Sequence, residues 1–335
     1  MLRFVPLLLT LAACSSPDPV ELHGSTMGTT WTVTLGGPLD EAQVAQAESI
    51  IAAILAEADA VLSGWNAASE ISVINRRAET SGIALSEALY TVLDAGTTVQ
   101  EETGGAFDIT VAPLVALWGF GADATITGRP SNAQIAAARS LVGPHMIELR
   151  AEPRTVRKRV AGVRLDVDAI APGYAVDRIS EELLAAGYEN HIVEIGGEVR
   201  CQGRGQGGRA WRIAVERPQT GARTAQAVVA LDGLGISTSG DYRDFRVLEG
   251  RRISHTIDPR SGHPVTHALA SVSVVHRSVM LADAYATALM VLGPQEGYTL
   301  AERLGLPALF IVRVSDGFTV RATESFDRLR LPAAD

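Results

Sequence analysis

Two short segments hold side chains whose types and spacing could do chemistry. The first is Ser254-His255-Thr256-Ile257-Asp258-Pro259-Arg260-Ser261-Gly262, and the second, farther along, is Asp283-Ala284-Tyr285-Ala286-Thr287. His255 carries a side chain whose charge changes near neutral pH, which makes it a candidate base. The Asp-Pro-x-Ser-Gly pattern after it is ordinary turn chemistry, so Asp258 and Arg260 read as holding the loop that presents the histidine. On a helix, Asp283 and Thr287 share one face. A carboxylate and a hydroxyl placed in this way offer two oxygen ligands to a hard cation such as magnesium, and magnesium suits phosphates. Taken alone, these residues leave plainer readings open: a solvated helix face for the pair, and a structural or surface histidine on a strand.

Positioning such groups requires a scaffold, and the chain alternates helices and strands without a regular repeat. Asp40 reads as the N-cap of a helix with Val44, Ala47, Ile51, Ile54, Ala58 and Val61 on one face. Ser86 opens a second, with Leu89, Val92, Leu93 and Val99 inward and Gly104-Gly105 as its stop. A third helix is expected over 173–186, closed by Gly187. The fourth, over 278–292, carries Asp283 and Thr287 and stops at Gly293-Pro294. Strand-like segments fall at 29–35, 192–195, 211–216, 227–231, 245–248, 253–257, 269–275, 309–314 and 318–322, with Glu249-Gly250 and Asp316-Gly317 as hairpin turns. Hairpins mixed with helices predict an α+β fold of mixed, largely antiparallel sheets with packed helices, rather than a doubly wound parallel sheet. Residues 21–335 read as a single globular unit.

Composition narrows the partners. The formal net charge is −9, from 29 basic and 38 acidic residues, so nothing suggests binding to a nucleic-acid backbone. Lys158 is the single lysine and there is no GK[ST] sequence, which weakens Schiff-base and P-loop readings. The glycine-dense run Gly203-Arg204-Gly205-Gln206-Gly207-Gly208 lies between strand-like segments with no helix after it, so it reads as a hairpin connection and not a dinucleotide fingerprint. His263 and His267 stand four apart, but Pro264 lies between them, and they are not read as metal ligands. At the N-terminus Arg3 precedes an apolar run, Phe4 to Ala13, too short to span a bilayer. Residues 1–13 therefore read as a signal peptide. Its end, Leu11-Ala12-Ala13-Cys14, looks like a lipobox, which makes Cys14 the expected lipidation site and 14–20 a polar tether. Cys201 is the one other cysteine, so the mature domain is expected to form no internal disulfide.

Several separated segments together resemble the ApbE family of periplasmic flavin transferases, the FAD:protein FMN transferases, from about residue 24 to 325. In order they are Gly24-Ser25-Thr26-Met27-Gly28-Thr29; Leu62-Ser63-Gly64-Trp65 with Ser69-Glu70-Ile71 through Asn75; and Gly105-Ala106-Phe107-Asp108-Ile109-Thr110-Val111-Ala112-Pro113-Leu114 with Leu117-Trp118-Gly119-Phe120. Residues 166–174, Glu194-Ile195-Gly196-Gly197-Glu198, the His255 turn and the Asp283/Thr287 helix complete the set.

The resemblance implies an enzyme that holds FAD in a cleft, uses Mg2+, breaks the pyrophosphate and places FMN on a Ser or Thr hydroxyl of a target protein, releasing AMP. It implies His255 as the base. It implies Asp283, Thr287 and the backbone carbonyl of Ala169 as metal ligands. Around FAD it implies Met27, Trp65, Ala106, Phe107, Asp108, Asp166, Pro172 and Ile257. Two positions depart from the family pattern: Trp65 stands where Tyr is common, and Pro172 where Lys is common, so the latter offers neither charge nor N–H. The acceptor is expected to be a periplasm-exposed protein, and the location the cell envelope, lipid-anchored, with the inner membrane favoured over the outer. A Mg-dependent FAD pyrophosphatase, with water as acceptor, and a non-enzymatic FAD-binding lipoprotein are the competing readings.

Overall fold

The computed structural model describes residues 19–332 apart from 125–127, 220–223, 243–244 and 249. The signal-peptide and lipidation readings, Cys14 included, lie outside the described residues. In chain order the elements are β1 (Val20–Thr26), β2 (Thr29–Leu35), α1 (Glu41–Leu62), α2 (Glu70–Arg76), β3 (Ile83–Ala84), α3 (Glu87–Glu102), α4 (Ala112–Leu117), α5 (Asn132–Arg139), β4 (Ile147–Ala151), β5 (Arg154–Lys158), α6 (Ala171–Ala185), β6 (His191–Ile195), β7 (Glu198–Gln202), β8 (Trp211–Glu216), β9 (Ala225–Leu231) and β10 (Leu234–Gly240). They continue with β11 (Phe245–Leu248), β12 (Arg251–Ser254), β13 (Ile257–Asp258), β14 (His263–Pro264), β15 (Leu269–His276), α7 (Val279–Leu304), β16 (Ala308–Val314), β17 (Gly317–Ala322) and α8 (Glu324–Asp327).

An eight-stranded sheet, ordered β1-β2-β6-β7-β10-β15-β16-β17, organises the molecule, and each neighbouring pair in it is antiparallel. The fold is α+β, as the hairpin signals predict. Side-chain alternation divides the sheet's two faces. Val272, Val274, Ala308 and Phe310 pack into the core shared with α3 and α7. Val275, Ile236, Leu309 and Ile311 point the other way, against the β8–β9 ribbon and Phe326 of α8. At the β1 end, α1 and α6 cover the sheet with Ala47, Ile51, Ile54, Ala175, Val176 and Ile179.

Local chemistry sets the helix ends. Asp40 caps α1 in a capping box: its carboxylate accepts from the Gln43 N–H at 2.8 Å, and Gln43 Oε1 accepts from the Asp40 N–H at 2.9 Å. Ser86 caps α3 in the same position. The fourth predicted helix differs from expectation. Gly293, at φ 78°, breaks the helical geometry as its sequence suggests, but Pro294 then opens a second helical segment that continues to Leu304. Proline fits there because the first N–H groups of a helix need no intrahelical partner. His267 closes the first segment, its Nε2 lying 2.8 Å from the Met290 carbonyl.

Lys158 is fully buried and donates to the carbonyls of Ile74 at 2.9 Å, Asn75 at 3.4 Å and Arg77 at 2.7 Å. It therefore occupies the C-terminal end of α2, where unpaired carbonyls and the helix dipole favour a cation, although burial pulls its pKa down. The side chain of the same Asn75 donates to the Leu165 carbonyl at 2.8 Å and accepts the Leu165 N–H at 2.7 Å. The lysine thus anchors the segment that leads into residues 166–170. Replacing Lys158 with Met, which leaves these carbonyls without a donor, is expected to cost about 2–3 kcal/mol, measured by urea denaturation; an unchanged midpoint would contradict its anchoring role.

Candidate active site

A cleft of about 850 Å3 opens where the edge of the helical core meets the β8–β9 ribbon and the start of the β13–β14 turn. That volume lies within the range of small-molecule and cofactor sites. Its walls include Trp65, Ala106, Phe107, Asp108, Asp166, Ala169, His255, Ile257, Asp283 and Thr287, which the sequence places in five separate stretches.

The cation-ready corner comes from matching repeats on a strand and a helix. Ser237 and Ser239 are two apart on β10, so they share a face and stand about 6.8 Å apart. Asp283 and Thr287 are four apart on α7, about 6 Å along its axis. The two pairs meet: Ser237 Oγ donates to Asp283 Oδ1 at 3.4 Å, and Ser239 Oγ lies 3.1 Å from Thr287 Oγ1. Ser237 Oγ also donates to Glu198 Oε1 at 3.2 Å. Asp283 is only 6% exposed, and its Oδ2 has no hydrogen-bond partner among the described residues. Burial and then the neighbouring Glu198 push its pKa well above the usual carboxylate range, against the pull of the Gly173 N–H and the Ser237 hydroxyl. An ionised carboxylate left this way is costly unless a cation joins it.

A second carboxylate pair borders the cleft in the loop before α6. Asp166 is drawn in by its N–H bond to the Ile109 carbonyl at 2.8 Å, and its Oδ1 accepts the Asp168 N–H at 3.0 Å. Burial raises Asp166. Asp168, on the open side, is pushed up to about 7, first by the charge of Asp166 and then by desolvation, while a hydrogen bond from the Trp65 side chain opposes the rise. Trp65 itself is 68% exposed, a large apolar surface at the cleft mouth. Asp108 sits deeper. Burial raises it, and it accepts from Thr110 N at 2.8 Å and Thr110 Oγ1 at 2.5 Å.

His255 lies between β12 and β13 and meets the Phe120 ring edge-on, with centroids 6.4 Å apart. The turn after it is fixed at several points. Asp258 accepts from Arg260 N, Nε and Nη2 at 2.9, 3.0 and 3.0 Å, its carbonyl accepts the Gly262 N–H at 2.8 Å, and Trp118 Nε1 donates to the Gly262 carbonyl at 2.9 Å. Asp258 and Arg260 therefore brace the histidine loop.

Met27 and Pro172 are not among the residues lining this cleft. Met27 occupies the β1–β2 turn at φ 48°, the sole non-glycine residue with a left-handed backbone among those described, and its side chain packs on the α1 core. Pro172 lies in the first turn of α6, where a missing N–H costs nothing. Sequence reasoning assigned no role to Ser237, Ser239, Glu198 or Asp168. The one local signal for the serines is the alternation Ser237-Thr238-Ser239, on a strand outside the predicted segments.

An open cleft that joins a buried carboxylate lacking a full set of partners to a braced histidine has the character of an enzyme active site. A family model described as the ApbE family matches residues 27–310. An FAD:protein FMN transferase of Vibrio cholerae is 37% identical over 323 residues, 95% of each chain, and one of Haemophilus influenzae is 36% identical over 334 residues. Among solved structures, the flavin transferase ApbE of Vibrio cholerae superposes with a TM-score of 0.85 at 34% identity, covering 93% of this chain and 99% of that one. The apo flavinyl transferase ApbE of Pseudomonas stutzeri does so with a TM-score of 0.83 at 40% identity, covering 94% and 98%. The chain belongs to the ApbE family.

Two outcomes follow from the electrostatics. Asp283→Asn replaces the buried ionisable carboxyl by a neutral amide, so without divalent metal at pH 8 it is expected to melt several degrees above the parent, and any stabilisation by added Mg2+ is expected in the parent alone. A lower melting temperature, or a retained Mg2+ effect, would contradict the reading of Oδ2. For Asp168, a raised folded pKa means that the folded state holds a proton the unfolded chain has lost. Stability therefore falls as pH rises between about 4 and 7. Asp168→Asn should lose less thermal stability than the parent across that window in metal-free circular-dichroism melts; parallel profiles would contradict the assigned repulsion.

Proposed function

We propose that this protein is an FAD:protein FMN transferase: it cleaves the pyrophosphate of FAD and transfers FMN to a Ser or Thr hydroxyl of a target protein, releasing AMP. The observation that carries this reading is the unpartnered, buried Asp283 Oδ2 beside Thr287 in a cleft large enough for FAD. The donor set fits Mg2+, since a carboxylate, a hydroxyl and a backbone carbonyl from Ala169 are all hard oxygen ligands. When bound there, the ion would offset negative charge on the diphosphate and stabilise the charge that builds in the transition state.

The remaining work falls to side chains. Trp65 and Phe107 offer flat apolar surface for the flavin or adenine rings, and Ala106, Asp108, Asp166 and Ile257 complete the walls around them. His255 takes the proton from the incoming hydroxyl as that oxygen bonds to the FMN phosphorus and the bond to the AMP oxygen breaks. Its braced turn holds the imidazole on one side of the cleft, so proton removal needs little rearrangement. Pro172 leaves phosphate recognition to groups other than a lysine, and the one lysine, Lys158, is committed to α2.

The acceptor is a protein exposed on the periplasmic side, reached by an enzyme lipid-anchored through Cys14. Support for the anchor is the Leu11-Ala12-Ala13-Cys14 sequence and the start of β1 at Val20, which leaves a tether of about 20 Å when extended. Among the described residues, no helix is long and apolar enough to cross a membrane.

The test mixes the protein with FAD, Mg2+ and an exported redox domain bearing an acceptor Thr, and follows flavin fluorescence on the target band after denaturing electrophoresis. Flavin retained on the target supports transfer; FMN and AMP released free, with an unlabelled target, would show a pyrophosphatase instead. His255→Ala should bind FAD with near-parental affinity and lose transfer by about 10²–10⁴-fold. Undiminished transfer in that variant would remove His255 from the mechanism.

A further inference from the structure

One carboxylate outside the cleft is bound more completely than any described above. Asp177, on α6, is buried, and its two oxygens take four hydrogen bonds. Oδ1 accepts from the Val279 N–H at 3.0 Å and from Arg200 Nη1 at 2.6 Å; Oδ2 accepts from the Met280 N–H at 3.1 Å and from Ser278 Oγ at 2.8 Å. Arg200 belongs to β7, and residues 278–280 are the N-cap and first two residues of α7. Ser278 Oγ in turn accepts the Leu281 N–H at 3.3 Å. The first three N–H groups of α7 are thus satisfied from outside the helix, two of them by Asp177, at the end where the helix dipole favours an anion.

We infer that Asp177 is a positioning residue: by pinning the start of α7 to α6 and β7, it sets the rotation and height at which Asp283 and Thr287 enter the cleft. The inference rests on the function proposed above. Asp283 is four residues beyond Val279, and Thr287 four beyond that, so both follow rigidly from the fixed first turn. A slip of one residue at that turn would rotate them by about 100° and move them about 1.5 Å, breaking the match with Ser237 and Ser239.

The same junction is tight on its other side. A Cβ on Gly173 would lie 2.5 Å from the Val279 carbonyl oxygen and 2.7 Å from Met280 Cα, so α6 and α7 touch backbone to backbone. The Gly173 N–H also faces the Asp283 carboxylate closely enough to pull its pKa down. α6 therefore fixes α7, and with it this ligand, at two points: the backbone contact at Gly173 and the Asp177 hydrogen bonds. Ala169, the third proposed ligand, lies just before the same helix.

The test is a Mn2+ titration of the full chain, followed by electron paramagnetic resonance of the free ion, with FAD affinity measured without metal. Asp177→Asn is expected to weaken Mn2+ binding about 10–100-fold and to leave metal-free FAD binding within about twofold of the parent. Ser278→Ala, which removes one of the four bonds, should weaken it by a smaller factor and keeps the inference testable should Asp177→Asn fail to fold. Thr323→Ala is the control. That buried hydroxyl accepts the Ala308 N–H at 2.8 Å and donates to the Leu306 carbonyl at 3.0 Å, far along the chain from this junction, so its loss lowers the melting temperature without moving Mn2+ affinity. Parental Mn2+ affinity in both Asp177→Asn and Ser278→Ala, or an equal loss in Thr323→Ala, would overturn the positioning role alone. A parent protein that takes up no Mn2+ would overturn the proposed function as well.

Discussion

The structure depends on one unfavourable contact: a carboxylate buried at the junction of α7 and β10 with an oxygen that nothing among the described residues satisfies. Asp283 is held on one side by Ser237 and crowded by Glu198 on the other. In a core this arrangement costs stability, because the charged form has lost water without gaining a full set of partners. A cation bound there, as proposed, would remove that cost and draw its binding energy partly from relieving it. On the proposed reading the orphaned oxygen belongs to the cation site.

The surrounding elements keep that oxygen from relaxing. The antiparallel register of β10 with β15 fixes Ser237 and Ser239, and β15 is buried along almost its whole length. The α6–α7 contact at Gly173 leaves no room for α7 to slide inward, and the Asp177 cluster stops it from turning. On the opposite wall, Lys158 and Asn75 brace the segment leading to Asp166 and Asp168, and Trp118 ties down the His255 turn. Rigid secondary structure carries the proposed cation corner, and a braced loop carries His255, the proposed base. That division suits phosphoryl transfer, in which positioning and charge compensation do most of the work.

The legible parts of the fold were those with strong local signals. Asp40 and Ser86 announced their helices through capping chemistry, and Asp316-Gly317 its hairpin, because each feature is decided within a few residues. The Gly293-Pro294 break was visible, but the helix resumed beyond it, since the packing of the later segment lies far away in sequence. At the site, the i,i+4 spacing of Asp283 and Thr287 was readable. Their partners Ser237 and Ser239 were not, because a short hydroxyl-rich strand lacks the apolar alternation that marks β-structure. Asp177 was invisible for a similar reason: its importance comes from three elements that meet only in the folded chain.

The central claim is that the cation site is the corner formed by α7 and β10, and that it is set before ligand arrives. An anomalous difference map from crystals grown with Mn2+ and FAD tests it most directly. The account predicts a single strong peak within coordination distance of Asp283 and Thr287, with α7 in the same register against Ser237 and Ser239 as described above. A peak centred on Asp166 and Asp168, or an α7 rotated out of this register, would contradict it.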